Sequence, residues 1–209
     1  MRHGETLWNV QGRLQGQSDS PLTNQGELQA HQVAARVKSF GITHIISSDL
    51  GRALKTADII ADVCACKVQQ DPRLRELDMG VLEERLIYSL TVQEEGWRKA
   101  LVDGTKGGCI PGGETMDKLA ARMHEALNAC RRLPADSCPL LVSHGLALGV
   151  LIGTLLGLSP SSERRLRLRN GSLSRIDYQQ SAWLAPGWAV EMAGDISHLT
   201  SGPRMSESQ

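Results

Sequence analysis

Stretches with apolar residues at helical spacing alternate along the chain with short runs that are apolar throughout. One helical stretch directly follows Thr23, a residue type that caps helix N-termini. Helices are predicted over residues 24–38, from about residue 50 to residue 61, over about 91–102 and over about 115–133, and strands over residues 42–47 and 140–143. This order of strands and helices predicts a three-layer α/β/α sandwich around a mostly parallel sheet.

The segment between Ser47 and Arg52 joins a predicted strand to a predicted helix. We expect Ser48 or Asp49 to cap this helix, which puts Arg52 in its first turn. A helix N-terminus attracts anions, and an arginine there strengthens the attraction. The end of this strand is therefore a candidate anion site.

The apolar stretch from Leu140 to Leu158 has almost the length of a membrane span. Ser143-His144-Gly145 interrupts it, and an ionisable residue inside a span is rare and costly. We interpret it instead as a buried strand, a tight turn at His144-Gly145 and a buried helix over about residues 147–156, with Gly157 near its C-cap.

Composition limits the classes of function. The chain has 209 residues, of which 41% are hydrophobic, enough for one core, so a single domain over residues 1–209 is expected. Lys and Arg together number 23, as do Asp and Glu, and this balance gives no case for a nucleic-acid or membrane partner. The five cysteines lack Cys-x-x-Cys and zinc-finger spacings, so we expect a reduced, cytoplasmic setting.

Two motifs set a histidine directly before a glycine: Arg2-His3-Gly4-Glu5-Thr6 and Ser143-His144-Gly145. The second follows an apolar run that would deliver His144 to the carboxyl edge of a sheet, where open α/β sheets bind ligands. Glycine lets the backbone turn sharply and approach a ligand closely. Two imidazoles beside arginines and glycine backbone suggest a cradle for phosphate.

The opening motif resembles the signature of the histidine phosphatase superfamily, and the resemblance runs nearly the whole length of the chain. It is most similar to the B-type phosphoglycerate-mutase-like branch of enteric-type bacteria. The matching segments, in family order, are Arg2 to Thr6, Asn9, Gln15-Gly16, Pro21 to Thr23, Ser47 to Arg52, Arg73 to Leu77, Pro111 to Thr115, Ser143 to Gly145, Glu163 to Asn170 and Ala193 to Leu199.

The resemblance implies a phosphoglycerate mutase-like fold with a small cap insertion over the active site at about residues 79–113. It also implies a small phosphorylated metabolite as substrate. By the same resemblance, the substrate-binding residues are Asn9, Gln15, Gly16, Gly145 and Leu146, with Arg98 and Lys99 as candidates in the cap.

Phosphoryl transfer needs groups that position the ester and neutralise charge on its oxygens. Arginine suits this task because its planar fork binds phosphate through parallel donors and stays charged. Arg2 and Arg52 would form the clamp, and His144 would add a donor to the transferring group. Asn9 and the Gly145 N–H would be neutral donors.

His3 is the candidate nucleophile, because neighbouring positive charge favours a neutral ring whose lone pair can attack phosphorus. The product would be a phosphohistidine. Glu76 would give a proton to the leaving oxygen and later take one from the attacking water. No metal is required, because the arginines and His144 supply positive charge.

The chain departs from the family pattern at two places. Family members carry a short apolar strand before the Arg-His-Gly motif, whereas only Met1 precedes Arg2 here, so we expect native residues upstream of Met1. Leu54 stands where close relatives tend to have a second basic residue, and Lys55 should point elsewhere on the helix. This second departure weakens the case for binding an extra anionic group.

Three alternatives to a phosphatase remain open. A phosphoglycerate mutase, with 2,3-bisphosphoglycerate as a possible cofactor, would need a closing cap and additional cations. Arg98 and Lys99 are the candidate cations in the cap, and Arg85 and Lys106 are less well placed by motif. A metallohydrolase would use His3, His144 and Glu76 as ligands, although no His-x-x-x-His or Asp-rich pattern accompanies them. An inactive phosphoprotein-binding module would keep the anion site without turnover. The short insertion and the residue types favour phosphomonoester hydrolysis.

Overall fold

A parallel three-stranded sheet lies at the centre of the structure, a computed structural model that describes residues 1–104 and 110–200. Its strands are β1 (His44–Ser47), β2 (Val68–Gln70) and β3 (Pro139–Val142), in the order β2-β1-β3. Residues 1–3 lie along β3: Arg2 forms a parallel bridge with Ser143, and the His3 N–H donates to the Ser143 carbonyl at 3.0 Å. This pairing brings the first motif beside the end of β3.

The described part of the chain contains six helices. They are α1 (Leu7–Gln11), α2 (Asn24–Lys38), α3 (Gly51–Cys64), α4 (Val92–Asp103), α5 (Met116–Ala129) and α6 (Gly145–Leu155). Short 3-10 turns occur at Pro72–Leu74, Gly80–Leu82, Ile87–Ser89 and Cys130–Arg132. An antiparallel hairpin, β4 (Leu173–Gln179) and β5 (Gly187–Asp195), follows α6.

Apolar side chains fill a core on each face of the sheet. Successive strand residues point to opposite faces, so Ile45 packs against α2 and α3, whereas Ile46 packs against the core that α5 and α6 supply. The buried residues of β3, Leu140 and Val142, face α2 and α3. Helices therefore cover both faces of a parallel sheet, which confirms the prediction of a three-layer α/β/α fold.

Of the two N-caps predicted from the sequence, the one at α2 is confirmed and the one at α3 is wrong. Thr23 caps α2 and Thr115 caps α5, each by accepting a backbone N–H. The prediction that Ser48 or Asp49 caps α3 is wrong, because the N-cap position is Leu50, with no side-chain cap bond. The Asp19 carboxylate fills the role from another loop by accepting the Arg52 N–H at 3.2 Å.

The segment from residue 139 to residue 157 folds as predicted into a strand, a turn and a helix. α6 begins at Gly145, two residues earlier than predicted, with His144 at its N-cap. Gly157 has a φ of +84°, as expected for a glycine just beyond a helix C-terminus. No helix among the described residues is long and apolar enough to cross a membrane.

The 80–104 segment is built of two 3-10 turns and α4, which begins after a capping box formed by Thr91 and Glu94. This agrees with the helix predicted over about residues 91–102. Backbone hydrogen bonds join the start of the segment to residues 12–14, with the Glu84 N–H donating to the Leu14 carbonyl at 2.8 Å and the Leu14 N–H to the Arg85 carbonyl at 2.9 Å. The base of the segment is therefore fixed to the loop that follows α1.

Candidate active site

Four segments meet at the carboxyl edge of β1 and β3. Residues 2–3 lie beside β3, Arg52 stands in the first turn of α3, His144 is the N-cap of α6, and Glu76 follows the 3-10 turn after β2. The rings of His3 and His144 lie 5.1 Å apart, centroid to centroid, and are tilted by 58°. The fold thus brings together all five residues to which the sequence assigns catalysis.

His3 is almost fully buried, with 2% of its surface exposed. Its Nδ1 lies 2.7 Å from the Gly4 carbonyl. A carbonyl can only accept, so Nδ1 carries the proton and Nε2 keeps its lone pair. Burial, followed by the charges of Arg52 and Arg2, holds the pKa of His3 well below its ordinary value, so the ring is neutral at pH 7.

His144 is fully buried and presents its other nitrogen to the site. Its Nε2 lies 2.8 Å from the Ser48 hydroxyl, whereas Nδ1 has no hydrogen-bond partner within residues 1–104 and 110–200. Burial and then the charge of Arg52 are the main causes that hold the pKa of His144 well below its ordinary value. Nε2 is the one acceptor that the described residues offer to the Ser48 O–H, whose oxygen also accepts the Leu50 N–H, so Ser48 donates to Nε2. Nδ1 therefore carries the ring proton and is a buried donor without an acceptor.

The Arg52 guanidinium is held on one side by the loop after α1. Its Nη2 donates to the Gly16 carbonyl at 2.7 Å, and its Nη1 to the Ser18 carbonyl at 2.8 Å and to the Asp19 carboxylate at 3.0 Å. The side chain is 1% exposed, and burial lowers its pKa. Its Nε is buried and finds no acceptor among the described residues.

Arg2 is oriented by the backbone on the far side of the site. Its Nη1 donates to the Leu168 carbonyl at 2.7 Å, and its buried Nε has no partner in the described structure. Burial is the main cause that lowers the pKa of Arg2 to about 10, so the group stays charged at neutral pH. A Cβ at position 145 would lie 3.4 Å from this Nε, so Gly145 keeps the space beside it open.

Glu76 sits against the N-terminus of α6. Its Oε2 accepts the Leu146 N–H at 3.0 Å, and its Oε1 accepts the N–H groups of Ala147 and Leu77, both at 2.9 Å. A helix N-terminus has N–H groups without helical partners, and Glu76 takes two of them. The Leu146 N–H is therefore already hydrogen-bonded within the protein. Gly145, the first residue of α6, lies beside Arg2.

The unpaired donors have one requirement in common. Arg2 Nε, Arg52 Nε and His144 Nδ1 are all buried, and each lacks an acceptor within the described residues. A buried donor left unpaired costs about 1–3 kcal/mol, and more when the group is charged. An anion with several oxygens, bound next to His3 Nε2, would satisfy all three donors. The arrangement is therefore suited to a phosphate group in contact with a neutral imidazole.

Asn9 in α1 and Gln15 and Gly16 in the loop after it are the three remaining predicted residues. Asn9 Oδ1 accepts the Thr6 N–H and Asn170 Nδ2, both at 3.1 Å, so Asn9 would meet an anion through its own amide Nδ2. Gln15 is buried, with Oε1 at 3.2 Å from the Thr6 hydroxyl. The Gly16 carbonyl accepts a hydrogen bond from Arg52 Nη2. Asn9 is thus oriented to donate a hydrogen bond to an anion, whereas Gly16 helps to orient the Arg52 guanidinium.

Among the described residues, no hydrogen bond or ion pair joins the two cap candidates, Arg98 and Lys99, to this centre. Both lie on α4, where Arg98 donates to the two carboxylate oxygens of Glu95, each at 2.7 Å, and Lys99 is exposed. Arg85, a less favoured candidate, pairs with Glu94 at 3.0 Å. Lys106, also considered as a cap cation, lies outside the described residues.

Some groups at the site are absent from the sequence prediction. The carbonyls of Gly16, Ser18 and Leu168 orient the two arginines, but any residue carries a carbonyl, so no residue-type signal exists. Ser48 and Asn170 could have been found, because both stand in motifs quoted for the resemblance. Asn170 Nδ2 also donates to the His3 and Gly4 carbonyls, at 3.1 Å and 3.2 Å.

Lys55 is the basic residue near Arg52 that could have bound a second anionic group. The Lys55 amine lies 3.8 Å from a Glu27 carboxylate oxygen, so it points towards α2, as the helix geometry predicts.

Within the described ranges, no group of three or more His, Cys, Asp or Glu side chains could hold a metal ion.

Comparisons with known proteins show the family and the fold of the chain. A sequence profile of the histidine phosphatase superfamily (branch 1) matches residues 1–191. A Proteus mirabilis protein named "Probable phosphoglycerate mutase GpmB" is 67% identical over 200 residues, which are 96% of this chain and 93% of the relative.

Two solved structures have the same fold. YhfR from Bacillus stearothermophilus gives a TM-score of 0.86 at 27% identity, over 94% of this chain and 96% of its own. A phosphoserine phosphatase from Entamoeba histolytica, in complex with phosphoserine, gives 0.82 at 26% identity, over 95% of this chain and 96% of its own. The chain belongs to the histidine phosphatase superfamily, branch 1, as its motifs predicted, and it is an enzyme of the phosphatase and phosphoglycerate mutase type.

Proposed function

We propose that the protein hydrolyses small phosphomonoesters through a phosphohistidine on His3. The observation that carries this proposal is the set of three buried, unpaired donors around a neutral histidine with a free Nε2 lone pair. A phosphate monoester offers the oxygens that these donors lack. It also offers the phosphorus atom that the lone pair can attack.

In the first step, His3 Nε2 forms a bond to phosphorus while the bond from phosphorus to the ester oxygen breaks. Arg2 and Arg52 neutralise charge on the phosphoryl oxygens, and His144 Nδ1, the Gly145 N–H and Asn9 Nδ2 add neutral donors. Glu76 delivers a proton to the departing oxygen. Its Oε1 already accepts two N–H groups, so Oε2, which accepts one, has the lone pair that would carry this proton.

In the second step, water attacks phosphorus and the bond from phosphorus to Nε2 breaks. Glu76 takes the proton of the water, inorganic phosphate leaves, and His3 returns to its neutral form. The hydrogen bond from Nδ1 to the Gly4 carbonyl holds the ring in one tautomer through both steps. Two buried arginines supply the positive charge, so the mechanism routes no step through a metal.

We infer that residues 79–113, of which 105–109 lie outside the described residues, form the cap of a single domain over residues 1–209, and that a small phosphorylated metabolite is the substrate. Contacts between residues 83–85 and the loop that carries Gln15 and Gly16 support this role for the segment. Cys64, Cys66, Cys130 and Cys138 are free thiols, which supports a reducing, cytoplasmic setting.

A phosphoglycerate mutase, primed by 2,3-bisphosphoglycerate, is the second candidate, and the names of the similar proteins favour it. A mutase must also bind a substrate carboxylate, which needs further cations near the phosphate. Arg98, however, is paired with Glu95 on α4, and Arg85, which precedes that helix, is paired with Glu94. These pairings favour hydrolysis over interconversion of 2- and 3-phosphoglycerate.

The experiment that tests this proposal is phosphorus NMR of 3-phosphoglycerate and a panel of phosphomonoesters incubated with the protein, with and without 2,3-bisphosphoglycerate. We expect inorganic phosphate as the product with wild-type protein and none with His3→Ala. His31→Ala, a matched change at an exposed histidine of α2, should leave the rate unchanged. Formation of 2-phosphoglycerate would overturn the phosphatase assignment in favour of the mutase.

A further inference from the structure

Glu83, which lies outside the phosphate site, is bonded to the loop that holds Arg52. One carboxylate oxygen accepts the Gln17 N–H at 2.7 Å and the Met79 N–H at 3.1 Å. The other accepts the Ser18 N–H and the Ser18 hydroxyl, both at 2.9 Å. Each oxygen therefore accepts two hydrogen bonds, which leaves the side chain little freedom to move.

The same short loop supplies the acceptors for Arg52. The Gly16 and Ser18 carbonyls accept from Nη2 and Nη1, and the Asp19 carboxylate accepts from Nη1. The N–H groups of residues 17 and 18 thus bind Glu83, while carbonyls of residues 16 and 18 bind the arginine. A shift of the loop would move the guanidinium with it, because these are the partners that orient Nε towards the phosphate site.

Gly16 shows how closely Glu83 approaches the loop. Its φ is +54°, and a Cβ at this position would collide with the Glu83 carboxylate. The carboxylate also contributes to the electrostatics of Arg52, since its negative charge is among the causes that raise the pKa of that guanidinium against the effect of burial. Geometry and charge thus connect the two residues through one loop.

We propose that Glu83 is a positioning residue that fixes the Arg52 guanidinium for phosphoryl transfer by holding the 16–18 loop in place. Glu83 does not touch the reacting atoms, and it acts through the loop. The assignment rests on the proposed function, because a positioning role has meaning only if Arg52 binds the transferring phosphoryl group.

The test compares Glu83→Gln with Glu84→Gln, which makes the same change of charge at the next residue. Glu84 is exposed, and among the described residues its side chain contacts the 16–18 loop only through the Ser18 hydroxyl, at 3.1 Å. In Glu83→Gln one oxygen becomes an NH₂ donor facing N–H donors, so one side of the loop loses its acceptor. We expect kcat/KM for p-nitrophenyl phosphate to fall about 10- to 100-fold, mainly in kcat, as for a misplaced catalytic group. Glu84→Gln should stay within about twofold of wild type.

A second readout follows the arginine directly. The buried Arg52 Nε–H should give a resolved ¹H–¹⁵N resonance, assigned by its loss in Arg52→Lys. We expect this resonance to move, and to respond less to added inorganic phosphate, in Glu83→Gln but not in Glu84→Gln. Thermal unfolding of each variant tests for a general loss of the fold, and Glu83→Asp tests whether a shorter carboxylate restores part of the rate.

An unchanged Arg52 resonance in Glu83→Gln would overturn the proposal, as would a kcat/KM equal to that of Glu84→Gln. If wild-type protein hydrolyses no phosphomonoester, the proposed function fails, while the resonance still shows whether Glu83 positions Arg52. The two failures are thereby distinguishable.

Discussion

At the scale of single residues, hydrogen bonds give the two site histidines different parts. The Gly4 carbonyl holds Nδ1 of His3, so His3 turns a lone pair on Nε2 to the site. The Ser48 hydroxyl holds Nε2 of His144, so His144 turns its Nδ1 there instead. The sequence shows the same His-Gly pair twice. Only the neighbouring backbone and side chains decide that one ring can attack while the other can donate.

Burial of these two rings makes the stability of the protein depend on pH. Each native pKa lies well below the ordinary value, so the unfolded chain takes up protons below about pH 6.5 while the native protein does not. Stability therefore falls on acidification, by up to about 2 kcal/mol per histidine between pH 7 and pH 5. We expect His144→Asn to lose less stability over this range than wild type, by about that amount.

Urea unfolding at several pH values measures this difference, and His31→Asn on the exposed side of α2 is the control. Equal losses in wild type and His144→Asn would mean that His144 does not stay neutral in the native protein.

Prediction from the sequence succeeds for residues whose chemistry is in their side chains. His3, His144, Arg2, Arg52 and Glu76 stand in motifs, and the fold brings them to one place. It fails for groups whose role comes from position alone, such as the Leu168 carbonyl beside Arg2. The catalytic roles of the five motif side chains stay predictions until they are tested by substitution.

At the scale of elements, the helix N-termini at the site are occupied by side chains from elsewhere. Asp19 serves the start of α3, and Glu76 serves the start of α6. The sequence could not predict either, because the partners are 33 and 70 residues away. Local patterns did predict helices, since α2 spans the predicted residues and Thr23 caps it as expected. The β4–β5 hairpin was not predicted, because its residues alternate only weakly between buried and exposed.

The first turn of α2 packs against the opening motif without room for a side chain. A Cβ at Gly26 would collide with the Glu5 carbonyl, and a Cβ at Gly4 with the Gly26 carbonyl. We expect Gly26→Ala to destabilise the protein by about 1–3 kcal/mol, because the backbone must move to fit the methyl group. Urea unfolding at neutral pH measures this loss.

Gly149→Ala is the matched control, since nothing lies within 4 Å of a Cβ at that position of α6. Alanine has the better helix propensity, so a gain of about 0.5–1 kcal/mol is expected there. An unchanged stability in Gly26→Ala would contradict the close packing of α2 on residues 4–5.

At the scale of the whole molecule, a protein without net charge concentrates positive charge at one buried site. Arg2 and Arg52 lie close enough to His3 and His144 to lower the pKa of both rings. This fixed charge replaces the positive charge that a metal ion would bring. We expect phosphatase activity to be unchanged after dialysis against a strong chelator. A loss that zinc or magnesium restores would instead favour the metallohydrolase.

In the proposed mechanism, His3 carries the phosphoryl group between the two chemical steps. The most direct measurement is rapid quenching of the protein during turnover of a phosphomonoester under alkaline conditions that preserve phosphohistidine, followed by peptide mass spectrometry. The phosphohistidine mechanism predicts a phosphorylated peptide that contains His3. This peptide should form and disappear at rates at least as fast as turnover, and it should be absent in His3→Ala. Turnover without any phosphorylated His3, or label on a different residue, would contradict it.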